Sequence, residues 1–237
     1  MKVHVRWLGV VAMLAGLGMV SAAEEPAKKG TNQAAPDQKA TVSAEAEAVK
    51  DLNLAYSLVR YGRKNKSPEA LVMAAKVLAR IATQELKAKP VTETDPKAPK
   101  AAPAKPVGPM ASAKTLLDEA KKLSNNDAAI VAMADKVELN RGARGGPKRS
   151  TDVVKALSTD SFSIVFNGGE LARVAISGDG DTRLDLYVYD ESGNLIDSRV
   201  GPGDDALCTW VPKWSGKFTI RIVNRGPVAN QYVIATN

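Results

Sequence analysis

From Ser43 onward apolar residues recur at helical spacing: Ala48, Leu52, Ala55 and Val59 form one stripe of an amphipathic helix, with Gly62 as a stop. Ser67-Pro68-Glu69 then offers an N-cap, a proline at the first helical position and an acid in the first turn. Leu71, Ala74, Ala75, Leu78, Ile81 and Ala82 give a second stripe, and the short connection predicts that the two helices pair antiparallel. Leu116, Leu117, Ala120 and Leu123 give a third stripe. Asn126 or Asp127 caps a fourth helix carrying Ile130, Met133 and Val137. Two hairpins of four helices are thus predicted over residues 43–140. Between them, Pro90, Pro96, Pro99, Pro103, Pro106 and Pro109 punctuate residues 89–109, which predicts an extended, solvated spacer with neither helix nor strand.

From about Ser150 the period changes to two. Phe162, Ile164 and Phe166 alternate with polar residues, as do Leu184, Leu186 and Val188, and then Phe218, Ile220 and Ile222. Clusters such as Asn167-Gly168-Gly169 and Gly201-Pro202-Gly203-Asp204 separate the runs. Roughly seven short strands with frequent turns predict an antiparallel β-sandwich over residues 152–237. The fold class expected is therefore α+β multidomain: N-terminal helical hairpins followed by a C-terminal sandwich that folds by itself and without metal. Its expected core is the nine residues of those runs together with Trp210.

The N-terminus differs from both. Lys2 and Arg6 precede an uncharged apolar run, Trp7 to Val20, and Val20-Ser21-Ala22-Ala23 follows with small residues. That order predicts a signal peptide over residues 1–23, cleaved after Ala22 or Ala23. The run is too short for a stable bilayer anchor, so no membrane span is expected in the mature chain. No cysteine follows it to carry a lipid. Residues 24–42 lack aromatic side chains and are rich in Ala, Lys, Pro and Gln, the composition of a disordered leader.

Cleavage would remove the only histidine, His4. Histidine-dependent triads, two-histidine zinc sites and histidine pH switches are then excluded by composition. Cys208, the only cysteine, sits in an apolar stretch without a cationic activator, and a single thiol forms no internal disulfide. No carboxylate pair is marked by a motif, so no enzyme is expected. The net charge of +7 conceals an asymmetry. Residues 24–151 hold 23 basic and 15 acidic side chains, and residues 152–237 hold 8 and 11. The basic half suits weak contact with anionic polymers. Residues 141–151 form a basic Gly/Arg connector. It lacks interleaved aromatic rings, so no nucleic acid is expected. Arg141 and Arg144 remain candidates for an anion-binding loop.

Two stretches resemble known families. Gly178-Asp179-Gly180-Asp181-Thr182-Arg183-Leu184-Asp185-Leu186-Tyr187-Val188-Tyr189-Asp190, then Gly193-Asn194-Leu195-Ile196, and later Trp210-Val211-Pro212 with Gly216-Lys217-Phe218-Thr219-Ile220-Arg221-Ile222, resemble the pre-peptidase C-terminal domain. That resemblance implies a small, non-catalytic β-sandwich of the kind appended to secreted bacterial proteases, collagenases and other exported proteins. It also implies a calcium option, since Asp179, Asp181 and Asp185 match carboxylates that bind calcium in some relatives. Arg183 stands where an acidic or polar residue is common and is expected to pair with a would-be ligand. Otherwise no cofactor is expected. The alanine-rich hairpins, in which Ala70-Leu71-Val72-Met73-Ala74-Ala75 parallels Ala129-Ile130-Val131-Ala132-Met133-Ala134, resemble tetratricopeptide-like repeats, which implies a groove for a peptide or protein. A four-helix unit packed only on itself is the other reading of the same helices.

Tyr187 and Tyr189 alternate with Leu184, Leu186 and Val188, so both rings should stand on the opposite face of their strand, and Trp214 lies in a turn. These three are candidate binding residues for peptide or glycan. Together the features predict a periplasmic or secreted non-catalytic adaptor that presents helical and sandwich surfaces to another envelope or secreted protein. The alternative is a module that binds an anionic polymer or glycan of the envelope.

Overall fold

The computed structural model describes residues 30–98, 111–139 and 145–237. The predicted signal peptide and its cleavage site lie outside the described residues, as do Arg141 and Arg144. Four helices form where the capping chemistry places them. They are α1 (Ala44–Asn65), α2 (Pro68–Leu78), α3 (Ala113–Leu123) and α4 (Ala128–Asp135). Ser43 accepts from the Ala46 amide, Ser67 from that of Ala70, and Asp127 from those of Ala129 and Ile130, while Ser112 and Thr115 close a capping box. Two details differ from expectation. Helix α1 runs through Gly62 and ends at Lys66, whose φ is 52°. A Cβ at Gly62 would stand 2.8 Å from Leu71 Cδ2, so this glycine serves close approach of α1 and α2 rather than a stop. Met133 is exposed, and α4 buries Ile130 and Ala134 instead.

Among the described residues ten strands build the sandwich: β1 (Gln84–Glu85), β2 (Val91–Thr94), β3 (Lys148–Val154), β4 (Ser158–Phe166), β5 (Ala172–Gly178), β6 (Leu184–Tyr189), β7 (Leu195–Arg199), β8 (Asp205–Trp210), β9 (Gly216–Asn224) and β10 (Asn230–Thr236). The first sheet has the order β1-β3-β10-β5-β8 and the second the order β2-β4-β9-β6-β7. All pairings are antiparallel except β1 with β3. The ten core positions expected from alternation are all buried, and Val154, Val174, Ile176, Cys208, Tyr232 and Ile234 join them. Phe166 packs edge-on against Trp210, with ring centroids 4.8 Å apart.

Three expectations about domain layout are corrected. First, the proline-rich spacer is not structureless throughout: Val91–Thr94 pairs antiparallel with β4, and just before the spacer Gln84–Glu85 pairs with β3. Val91-Thr92-Glu93-Thr94 is a proline-free, β-branched tetrapeptide between Pro90 and Pro96, and an edge strand tolerates such flanks. Leu86, directly after β1, enters the sandwich core. Second, the leader is tied down over its described part. The Asn32 amide donates to Asp190 Oδ2 at 2.9 Å, the Ala34 amide to the Val211 carbonyl at 2.8 Å, and Thr41 bridges Glu170. Composition predicts disorder from lack of apolar area, but backbone and amide hydrogen bonds to a preformed sheet need little. Third, the connector yields to strand at Lys148.

The helices do not stand apart from the sandwich. Helix α1 lies across the outer face of the first sheet, against β5, β10 and β8. Small outward residues, Ala175 and Ala235, let it approach, and Ala235 belongs to the same apolar cluster as Leu52, Ala55 and Leu71. Polar bonds fix the docking along its length. Arg173 donates to the Ala46 carbonyl and Glu47, Arg149 to Tyr56, and Arg60 to Asp204 and Asp205. The helical unit therefore does not pack on itself alone.

Candidate functional site

Helix α1 covers one outer face of the sandwich. The other, on the second sheet, carries no packed helix among the described residues. Outward positions there follow from strand register. Val91, Ser161, Arg221, Tyr187 and Ser198 stand side by side on the five strands. Ser163, Thr219 and Tyr189 form the next row, and Glu93, Thr159, Val223 and Asp185 the row on the other side. The inward residues of the same strands, such as Phe162, Ile220 and Val188, are buried, so the alternation that builds the core also aims these hydroxyl, phenol and guanidinium groups outward.

Two features distinguish this face. The rings of Tyr187 and Tyr189 stack with centroids 6.4 Å apart and 22° between their planes, both half-buried. Beside them stand three guanidinium groups, two of them on Asp185. Arg225 Nε donates to Asp185 Oδ2 at 2.8 Å, and its Nη2 to the Tyr187 hydroxyl at 3.3 Å. Those two hydrogen bonds, to Asp185 first, hold the Arg225 proton above its ordinary range. Arg183 Nη2 donates to the same carboxylate oxygen at 3.2 Å, and its Nε lies 3.1 Å from Asp185 Oδ1. Arg221 Nε is buried and meets no acceptor among the described residues, and a Glu93 carboxylate oxygen stands 3.7 Å from its Nη2. The sequence expectation marked the tyrosines but missed Arg221 and Arg225. Arg221 was legible as a polar slot in Phe218-Thr219-Ile220-Arg221-Ile222, but nothing in that run says which strand it faces.

The other candidate residues are differently employed. Asp185 is fully buried beneath Arg183 and Arg225. Asp179 Oδ2 accepts from the Gln231 amide at 2.8 Å and its Oδ1 from the Asp181 amide at 3.2 Å. The calcium option thus loses Asp185, whose charge two guanidinium groups already meet. Among the described residues no three acidic, cysteine or histidine side chains are arranged to hold a metal ion. Trp214 lies in the turn between β8 and β9. Its indole donates to Glu191 at 2.5 Å and its amide to Asn32 Oδ1 at 3.0 Å, so it helps hold the leader. Burial pushes the Asp190 carboxyl up, but four hydrogen bonds from Asn32, Ser192 and Asn194 outweigh that and hold it below the usual carboxylate range. Cys208 is fully buried, which pushes its thiol up to about 12. An open cleft of about 820 Å³ separates Arg63 and Lys64 of α1 from the turn holding Asp179 and Asp181.

No protein-family model matches the chain, and no curated protein matches it in sequence. Among solved structures it is similar to the pre-peptidase C-terminal domain of a collagenase from Bacillus anthracis, at 12% identity and a TM-score of 0.30, over 38% of this chain and 89% of that one. It is similar also to PliG of Aeromonas hydrophila, a periplasmic inhibitor of g-type lysozyme, at 14% identity and 0.31, over 41% and 93%. A carbohydrate-binding module solved with calcium and xylotriose matches at 11% identity and 0.25, over 37% and 88%. The tetratricopeptide-like reading of residues 43–140 gains no support from these comparisons.

Proposed function

We propose that the protein is an exported, non-catalytic binding protein that holds a component of the envelope, or a secreted partner, against the open face of its second sheet. The observation that carries this reading is the stacked Tyr187–Tyr189 pair on a sheet face that no described helix covers. Paired rings on a rigid strand offer contact area whose entropy cost on binding is small. The helical unit braces the opposite face and leaves Leu54, Tyr61 and Met73 outward as a second surface, as an adaptor needs. A binding role without catalysis is supported by the chemistry of the described residues, which include no histidine and whose one thiol is buried and protonated.

The test is co-sedimentation of the chain from Glu24 onward with isolated envelopes of the source bacterium. Truncating both rings, Tyr187→Ala with Tyr189→Ala, should weaken binding about tenfold or more, since each ring contributes roughly 0.5–1.5 kcal/mol beyond its area. Equal binding by the two proteins would remove the open face from consideration.

A further inference from the structure

Resting on that reading, we infer that the ligand of the open face is a glycan whose sugar rings carry carboxylates, with Arg221 as the residue that selects the acid. The charge of the face differs from that of its module. Residues 152–237 carry 8 basic and 11 acidic side chains, yet Arg183, Lys217, Arg221 and Arg225 collect at this face. Against them, among the described residues, stand Asp185, buried between two guanidinium groups, and Glu93, whose side chain is 70% exposed and lies 3.7 Å from Arg221 Nη2. The surplus is positive, and it lies beside the tyrosines.

Geometry narrows the class of anion. Arg221 and Tyr187 are cross-strand partners, so an acid bound by the first can sit on the same sugar that packs against the second. A carboxylate attached to the sugar ring satisfies that spacing, and its plane suits the guanidinium fork. The remaining outward groups also suit a sugar chain. Thr159, Ser161, Ser163, Ser198 and Thr219 present hydroxyls that can donate to and accept from sugar hydroxyls. A polypeptide finds less here. On a sheet face the backbone amides and carbonyls are already spent in the ladders, so strand addition is closed to it.

The experiment measures binding of the chain from Glu24 onward to polygalacturonate, alginate and hyaluronate, with fully methyl-esterified polygalacturonate and poly-L-glutamate alongside. Expected are binding to at least one uronate polymer, a loss of about tenfold or more on esterification, and weakening as salt rises. Arg221→Ala should abolish the preference for acid over ester while keeping the thermal midpoint, and Arg221→Lys should retain part of it. Tyr187→Ala should weaken acid and ester alike. Binding to no uronate polymer, or equal binding of acid and ester by the unaltered chain, would overturn the inference. Binding of the ester that still depended on Tyr187 and Tyr189 would leave the proposed function standing. Stronger binding of poly-L-glutamate than of any uronate would overturn the inference in favour of an acidic polypeptide. Binding indifferent to both tyrosines would sink the two together.

Discussion

Replacing Arg60 by alanine tests whether the helical unit and the sandwich unfold as one body. Arg60 Nη1 donates to Asp204 Oδ1 at 2.5 Å, and Nη2 donates to Asp205 Oδ2. Around this pair Ser57 and Ser177 donate to Asp205 at 2.8 and 2.6 Å, and the Gly180 amide donates to Asp204 at 2.5 Å. The side chains of Asp204 and Asp205 are 4% and 15% exposed, and that of Arg60 is 34% exposed. Breaking a fully buried pair costs about 3–5 kcal/mol, whereas an exposed pair is worth about 0–1. The carboxylates here are nearly buried but keep neutral donors, and the arginine is partly wet, so we expect a loss of about 2 kcal/mol. For a chain of this length that is a fall of roughly 4–8 °C in Tm. Scanning calorimetry of the chain from Glu24 onward should show this fall in a single transition. Adding Asp204→Asn and Asp205→Asn to Arg60→Ala should recover part of it, because no unpaired charge then remains. A fall under about 1 °C, or losses that simply add, would refute the assignment of Arg60 as the clamp between helix and sheet.

Two further outcomes follow from buried positions. Asp160, 1% exposed, accepts from Thr92 and Tyr232, yet burial prevails over those hydrogen bonds and raises its pKa above the ordinary 3.8. The folded chain then holds a proton that the unfolded chain releases, so this group's contribution to stability falls as pH rises through the interval above 3.8. Urea unfolding across about pH 3.5 to 7 should show that slope diminished in Asp160→Asn, and an identical slope would contradict it. Gly62→Ala should gain up to about 1 kcal/mol of helix propensity but lose more through overpacking, because its Cβ would stand 2.8 Å from Leu71 Cδ2 and 2.9 Å from Leu71 Cγ. A lower urea midpoint is expected, and a higher one would show that Leu71 moves aside freely.

Much of the architecture was legible in the sequence because its causes are local. Serine and aspartate caps at Ser67 and Asp127 set helix starts, and strict alternation in Phe162 to Phe166, Leu184 to Val188 and Phe218 to Ile222 located strands and core together. The same alternation pointed Tyr187 and Tyr189 outward, and Arg183 was recognisable as a partner for one of the three aspartates, which the structure shows to be Asp185. The segments missed depend on neighbours distant in sequence. Strand β5, with Val174, Ala175 and Ile176 consecutively buried, shows no clean alternation because α1 covers its outer side. Val91–Thr94 is too short to announce itself and becomes a strand by completing the edge beside β4. Asn32 and Trp214, 182 positions apart, meet only because the folded turns bring Asp190, Glu191 and Trp214 to one place.

The sequence by itself determined which residues face inward and where helices begin, since propensity, capping and periodicity act within a few residues. Only the tertiary structure decided which sheet face remains open. That choice rests on α1 finding the small residues Ala175 and Ala235 on one sheet, and on strand register placing Arg221 beside Tyr187 on the other. Both are contacts between segments far apart in the chain, set by packing complementarity that no local pattern encodes.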